Sequence, residues 1–332
     1  MMRTRLQQTA LRSAIVAATL VLLYGAIEGL VRVVLDNGMH FNLEMWKYAR
    51  DIKQRSANPL IGHEHRPHAR SFLMGAEVAT NAEGHRDRDV PVARQPGVGR
   101  IVMVGDSFIE GWGVRADETI SKRLEVLFDR GGTRVEVMNT GVGNYNTTMD
   151  VEAFLTRDAK YNPDVVVLNY VVNDAEPVPA YTSTSWLARH SEAAVFIEGA
   201  ADSLRRIAQP AQQWDQYYLG LYDTPGWDAS KAAIERLAVH CRTHQIVMVV
   251  VSWPELHDVR HYRLGRVTDL VRGVAGTEHV MFVDLLEAVK DQEPSTLWVT
   301  PPDPHPNGKA NALFADHLYP VLRDVLKKIG AG

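Results

Sequence analysis

The sequence predicts an α/β fold: a parallel sheet covered by helices on both faces, preceded by an N-terminal membrane-crossing helix. Three observations carry this. Short apolar runs alternate with amphipathic segments from Arg100 to the C-terminus, the pattern of strands joined by crossover helices. An uncharged run, Ser13 to Ile27, follows a basic start. The composition, 45% hydrophobic and 23% charged over 332 residues, is that of a globular chain rather than a disordered, collagen-like or multi-span one.

The first 35 residues hold Arg3, Arg5, Arg12 and Arg32 against Glu28, a net +3 that leaves −7 for the rest of the −4 chain. Fifteen uncharged residues fall short of the roughly 20 a bilayer needs, but Leu30 to Leu35 extends the run. Glu28 and Arg32 stand four apart on a helix and can pair, with Arg32 reaching toward the interface. Basic residues before the span favour a cytoplasmic N-terminus with the remainder exported through the inner membrane. A cleaved signal peptide would want a small-x-small pair, which Leu23-Tyr-Gly-Ala-Ile27 lacks. Residues 1–35 are therefore expected to be an uncleaved anchor, with 36–98 a connector and 99–332 one α/β domain.

In the connector, Phe41 to Gln54 has helical spacing, a strand pair is expected around Phe72 and Val78, and 81–87 reads as a turn. Ile101–Val104, Val135–Met138, Val165–Leu168, Ile246–Val251 and Val280–Val283 are the expected strands. Thr119–Phe128, Thr148–Lys160, Lys231–His244, Arg263–Val274 and Lys309–Lys328 are the expected helices. Residues 175–228 interrupt the alternation and hold eight of the 26 aromatics: Tyr181, Trp186, Phe196, Trp214, Tyr217, Tyr218, Tyr222 and Trp227. Such an insertion could cap a site at the strand ends, although aromatics most often serve as packing mass.

The chemistry lies at those strand ends. Gly105-Asp106-Ser107-Phe108 follows the first strand directly. Asn139-Thr-Gly-Val-Gly143-Asn144 closes the second and Asn169-Tyr-Val-Val-Asn173-Asp174 the third. Asp303-Pro-His305 precedes the closing helix. In a parallel sheet these ends face one edge, so a serine, a Gly/Asn loop, an asparagine and an Asp/His pair converge. A serine hydroxyl needs a base to attack a carbonyl, and the base needs an orienting group. Asp106 suits a turn by bonding the backbone. The single cysteine, Cys241, excludes a disulfide framework and any multi-cysteine metal site. His63-Glu-His65-Arg-Pro-His68 is the one metal-like spacing, but it has no acid cluster nearby, and Arg66 and Arg70 oppose a cation. No cofactor or metal is expected, and mild acidity argues against a nucleic-acid partner.

The four blocks, spanning residues 101–318, resemble those of the SGNH (GDSL) hydrolase superfamily. The resemblance implies a flavodoxin-like three-layer sandwich with a five-stranded parallel sheet and metal-free esterase or acyl-transfer chemistry. It makes Ser107 the nucleophile, His305 its general base and Asp303 the orienting acid. The Ser107 amide, a backbone amide at Gly143 or Asn144 and the Asn173 side chain would form the oxyanion hole. Three positions depart from the family pattern: Asn144 stands where glycine is usual, Pro302 where the commoner acid lies, and Val172 where glycine is frequent. The Asp-x-His spacing resembles alginate-type polysaccharide O-acetyltransferases. The expected substrate is a short O-acyl group, acetyl in the first instance, on an envelope or exported polysaccharide. Lipid-directed lysophospholipase or thioesterase activity, or a catalytically silent assembly protein of the same fold, are the alternatives.

Overall fold

The computed structural model describes residues 2–178, 186–208, 214–301 and 303–331, so Tyr181 and Pro302 lie outside the described residues. Five parallel strands form the sheet: β1 Gly99–Val104, β2 Val135–Asn139, β3 Val165–Tyr170, β4 Val247–Ser252 and β5 Met281–Asp284. Their spatial order is β2-β1-β3-β4-β5. The chain leaves β1 for one neighbour and later returns to its other side. The topological switch point, where open α/β sheets bind ligands, therefore lies beyond the carboxyl ends of β1 and β3.

The strands read as continuous apolar runs because both faces are buried. Val102, Val104, Val166, Leu168 and Val250 point into one core, shared with helices Thr147–Ala153, Pro225–Thr243 and Gly265–Thr277. Ile101, Met103, Val165, Val167 and Val251 point into the other, against Ile120–Arg130 and Gly308–Ile329. Each fully buried side chain of this kind stabilises the fold by about 1.5–3 kcal/mol. Cys241 is buried in the first core as an ordinary small apolar residue.

Element ends follow local chemistry. The helix expected at Lys231 starts six residues earlier, at Pro225, because Thr224 caps it and proline suits the first helical turn. The closing helix is capped by Asn307, which accepts from the Lys309 and Ala310 N–H groups, and stops at left-handed Gly330. The helix expected over Phe41–Gln54 ends at Lys47, with a wider helical turn to Ile52. Lys53–Arg55 then pairs instead as a strand with His63–His65. The expected pair around Phe72 and Val78 is Arg70–Leu73 with Ala76–Ala79. Its turn, Met74-Gly75, has positive φ at both residues, the geometry that fits a hairpin's twist.

The described residues form two compact units, one comprising those up to Arg50 with 186–208, the other those from 51 to 178 with 214–331. Residues 51–98, read from sequence as connector, group with the sheet. The insertion divides: Trp214, Tyr218, Tyr222 and Trp227 pack on the sheet's first core, whereas 186–208 groups with the N-terminal helix. In that helix, Gln7–Leu35 is long and apolar enough to cross a membrane. The Glu28–Arg32 pair forms, with Arg32 Nε donating to Glu28 Oε1 at 2.6 Å.

Candidate active site

Ser107 is the first residue of a single helical turn, Ser107–Glu110, immediately beyond β1. Asp106 caps that turn by accepting the Phe108 N–H at 2.9 Å, so its sequence role as a turn former is what the geometry shows. Two glycines let the backbones close in. A Cβ on Gly105 would lie 2.7 Å from Ile109, and one on Gly141 would lie 2.3 Å from the Glu110 amide nitrogen. Asn139 ties the second block to the turn by donating to the Ile109 carbonyl at 2.7 Å. Asn169 donates to the Val104 carbonyl and accepts from the indole of buried Trp253, joining the ends of β1, β3 and β4.

The Asp/His pair owes its geometry to an extended strand. Asp303–Pro306 pairs antiparallel with Trp298–Thr300, and residues two apart on a strand share a face. Asp303 and His305 therefore point the same way, which is how an Asp-x-His spacing brings carboxylate to imidazole. His305 Nδ1 lies 2.5 Å from Asp303 Oδ1 and its Nε2 2.9 Å from Ser107 Oγ. With the proton on Nδ1 donated to Asp303, Nε2 accepts from the serine hydroxyl. The second Asp303 oxygen accepts from the Trp112 indole at 2.9 Å. Phe108 sets its ring edgewise to His305 at 5.3 Å.

The electrostatics suit a histidine base held by an ionised carboxylate. Burial alone would lower the His305 pKa, but the Asp303 bond and the charges of Asp303, Asp106 and Glu110 outweigh it and hold it above the usual histidine value. Burial would raise Asp303, yet His305 and Trp112 hold it below the usual carboxylate range. Asp106 and two acids that feel its charge, Asp150 and Asp174, are all buried. Burial pushes Asp150 and Asp174 well above the ordinary carboxyl value, and mutual repulsion within the cluster adds to it. Burial also raises Asp106, while the Phe108 N–H, His305 and the Asn173 amide pull it back.

Ser107, His305 and Asp303 meet at this edge, and the Gly143-Asn144 loop and Asn173 follow the carboxyl ends of β2 and β3. Ser107 carries the first N–H of a helical turn, which has no intrahelical acceptor. Asn173, beyond β3, has its amide beside Asp106. Asn144 adopts the left-handed conformation with φ 65°, and among the described residues no backbone carbonyl takes its N–H. Asparagine tolerates this better than most residues, and two groups from 53–65 hold it there. Lys53 Nζ donates to the Gly143 carbonyl and to Asn144 Oδ1, both at 2.7 Å. His63 Nε2 donates to the same carbonyl at 3.0 Å. Burial pushes Lys53 down to about 7, with Glu110 opposing. It also pushes His63 down to about 4, reinforced by Lys53.

His65 is spent on the Gly84 carbonyl and His68 is exposed, so the three imidazoles do not converge. Two further residues, Trp112 and Lys53, hold the site together. In the sequence Trp112 had a weak signal, a large aromatic between two glycines just after the serine; Lys53 had none.

A model of the GDSL-like lipase/acylhydrolase family matches residues 103–313, more than half of the chain. No curated protein matches it. Among solved structures the chain is similar to TesA, with 14% identity over 68% of this chain and 99% of that one and a TM-score of 0.45. It is similar to a catalytic mutant of the acetylxylan esterase Axe2 from Geobacillus stearothermophilus, with 14% identity, 68% and 94% coverage and a TM-score of 0.44. It is also similar to the psychrotrophic esterase EstA from Pseudoalteromonas sp., with 14% identity, 69% and 99% coverage and a TM-score of 0.44.

Proposed function

The chain belongs to the GDSL-like lipase/acylhydrolase family, and from that premise we propose that this serine esterase removes or transfers a short acyl group, acetyl in the first instance, on a hydroxylated polysaccharide outside the cytoplasm. The observation that carries the chemistry is the Ser107–His305–Asp303 chain of hydrogen bonds at the sheet's switch point. The Asp-x-His resemblance supports the acetyl and polysaccharide part, and the N-terminal helix supports the location.

In this reading Ser107 Oγ attacks the ester carbonyl carbon while His305 Nε2 takes the hydroxyl proton. Asp303 keeps the other imidazole proton in place and stabilises the imidazolium. The carbonyl oxygen becomes an oxyanion held by the Ser107 and Asn144 N–H groups and the Asn173 amide, each donor worth roughly 2.7–4 kcal/mol of barrier. His305 returns the proton to the departing alcohol oxygen, leaving Ser107 acylated. Water then gives hydrolysis, or a sugar hydroxyl gives transfer, with His305 again taking the proton. Turnover of an aryl acetate and release of acetate from acetylated polysaccharide test the reading. Ser107→Ala should abolish both, and a variant as active as the parent would refute it. A preference for long-chain acyl esters over acetate would replace polysaccharide with lipid as the substrate class.

A further inference from the structure

The unit built on the N-terminal helix carries a feature that the chemistry does not use. Glu28, near the end of that helix, accepts four hydrogen bonds. Arg32 Nε supplies one from the same helix. The other three come from the start of helix Glu192–Ala208: the Ser191 hydroxyl at 2.7 Å, and the Glu192 and Ala193 N–H groups at 3.2 and 3.0 Å. Tyr24 shares the Ser191 hydroxyl at 2.5 Å. Below this clamp, Val31, Leu43 and Ala193 form a small buried core with Leu35, Val195 and Phe196 against it. A Cβ on Gly199 would come within 2.5 Å of the Asn42 amide, so the two segments pack closely.

The clamp has a defined height. Glu28 lies about 21 residues beyond Gln7, the start of the apolar helix, which is about 32 Å at 1.5 Å per residue. The hydrocarbon core is about 30 Å thick. A helix that enters at Gln7 leaves the core at Glu28, the first charged residue after the uncharged run Ser13–Ile27, with Arg12 little more than one turn inside and long enough to reach back to the interface. Around that exit the unit exposes apolar side chains: Val33, Phe41, Trp186, Leu187 and Ile197, with Trp186 69% and Val33 83% exposed. Tryptophan is the residue enriched at membrane interfaces. Arg189, on the same short helix as Trp186, is also exposed, as suits a phosphate headgroup neighbour.

We propose that residues 31–50 and 186–208 form a membrane-surface platform, clamped to the anchor through Glu28, whose exposed apolar collar is occupied by the bilayer interface. This rests on the N-terminal helix crossing the hydrocarbon core within residues 7–28, with 29–35 in the exit interface. Part of the insertion that sequence pattern casts as a site cap then serves to hold the chain at the lipid surface.

The test uses the full-length protein in vesicles of phosphatidylcholine and phosphatidylglycerol. The native Cys241 is 1% exposed and burial pushes its thiol up to about 12, so a spin label goes only to an introduced cysteine. Labels are placed through Trp186→Cys, Ile197→Cys, Leu20→Cys and Val126→Cys, and collisions with oxygen and with a water-soluble nickel chelate are compared. The labels at 186 and 197 should show oxygen-to-nickel ratios several-fold above that at 126, at depths of about 5–10 Å. Ratios at 186 and 197 equal to that at 126, with the label at 20 deep in lipid, would overturn the platform and leave the span standing. A label at 20 open to the chelate would overturn both. Labels at 197 shielded from both reagents would place protein on that face and also overturn the proposal.

Discussion

Replacing Lys53 with methionine separates the catalytic loop's conformation from the rest of the site. Lys53 is the group that grips Asn144, donating to its side chain and to the carbonyl before it. Methionine keeps the apolar stem and removes both bonds. Asn144 then loses the contact that offsets its left-handed backbone, and its N–H turns away from the oxyanion position proposed for it. One oxyanion donor is worth roughly 2.7–4 kcal/mol, and partial retention by His63 brings the expected loss to about 2–3 kcal/mol. That lowers kcat about 30- to 150-fold, with KM for an aryl acetate changed little, since the donor acts in the transition state. Glycine adopts the left-handed region without help, so Asn144→Gly in the Lys53→Met background should recover most of the rate. Steady-state kinetics, with thermal unfolding as a control on folding, measure this. An unchanged kcat in Lys53→Met, or a double variant no faster than the single, would refute the reasoning.

The same geometry sets four further outcomes. The neutral form of His305 is the base and its pKa is raised, so kcat/KM should fall as pH drops through a value above the usual 6.5. Asp303→Asn should shift that limb to lower pH and cut kcat by roughly a thousand- to ten-thousand-fold, as a pH–rate profile would show. Asp150 has a raised folded pKa, so it holds a proton that the unfolded chain has released. Its stabilisation is complete at low pH and lost as pH rises through the folded value. Asp150→Asn should therefore raise Tm more at pH 8 than at pH 5, and an equal shift at both would contradict the cluster's protonation. Gly141→Ala would press a methyl group onto the Glu110 and Ile109 backbone, costing about 1–3 kcal/mol. It should slow turnover by moving the Ser107 turn, detectable by calorimetry and kinetics on one sample.

The sheet was legible because its strands are buried on both faces and therefore apolar throughout, with β1 and β3 as the clearest cases. The site residues were legible because a parallel sheet sends every strand end to one edge, and because Asp303 and His305 sit two apart on an extended segment. The connections that shape the site were not. Lys53 acts across 90 residues of sequence on a carbonyl and a side-chain oxygen, and no periodicity marks such a contact. Nor did composition show that residues 51–98 group with the sheet while 186–208 group with the N-terminal helix. The aromatics of 175–228 look alike in sequence, yet Trp227 and Tyr222 pack on a core while Trp186 is exposed. The buried acids at 106, 150 and 174 lie on three different elements, so only the fold assembles them.

The central claim is that Ser107 carries the acyl group during turnover. Rapid acid quenching of the full-length protein with an aryl acetate, followed by peptide mass analysis, tests it directly. One added acetyl group is expected on the peptide containing Ser107, absent in Ser107→Ala. An unmodified Ser107 peptide during steady turnover, or acetyl found on another residue in its place, would contradict it.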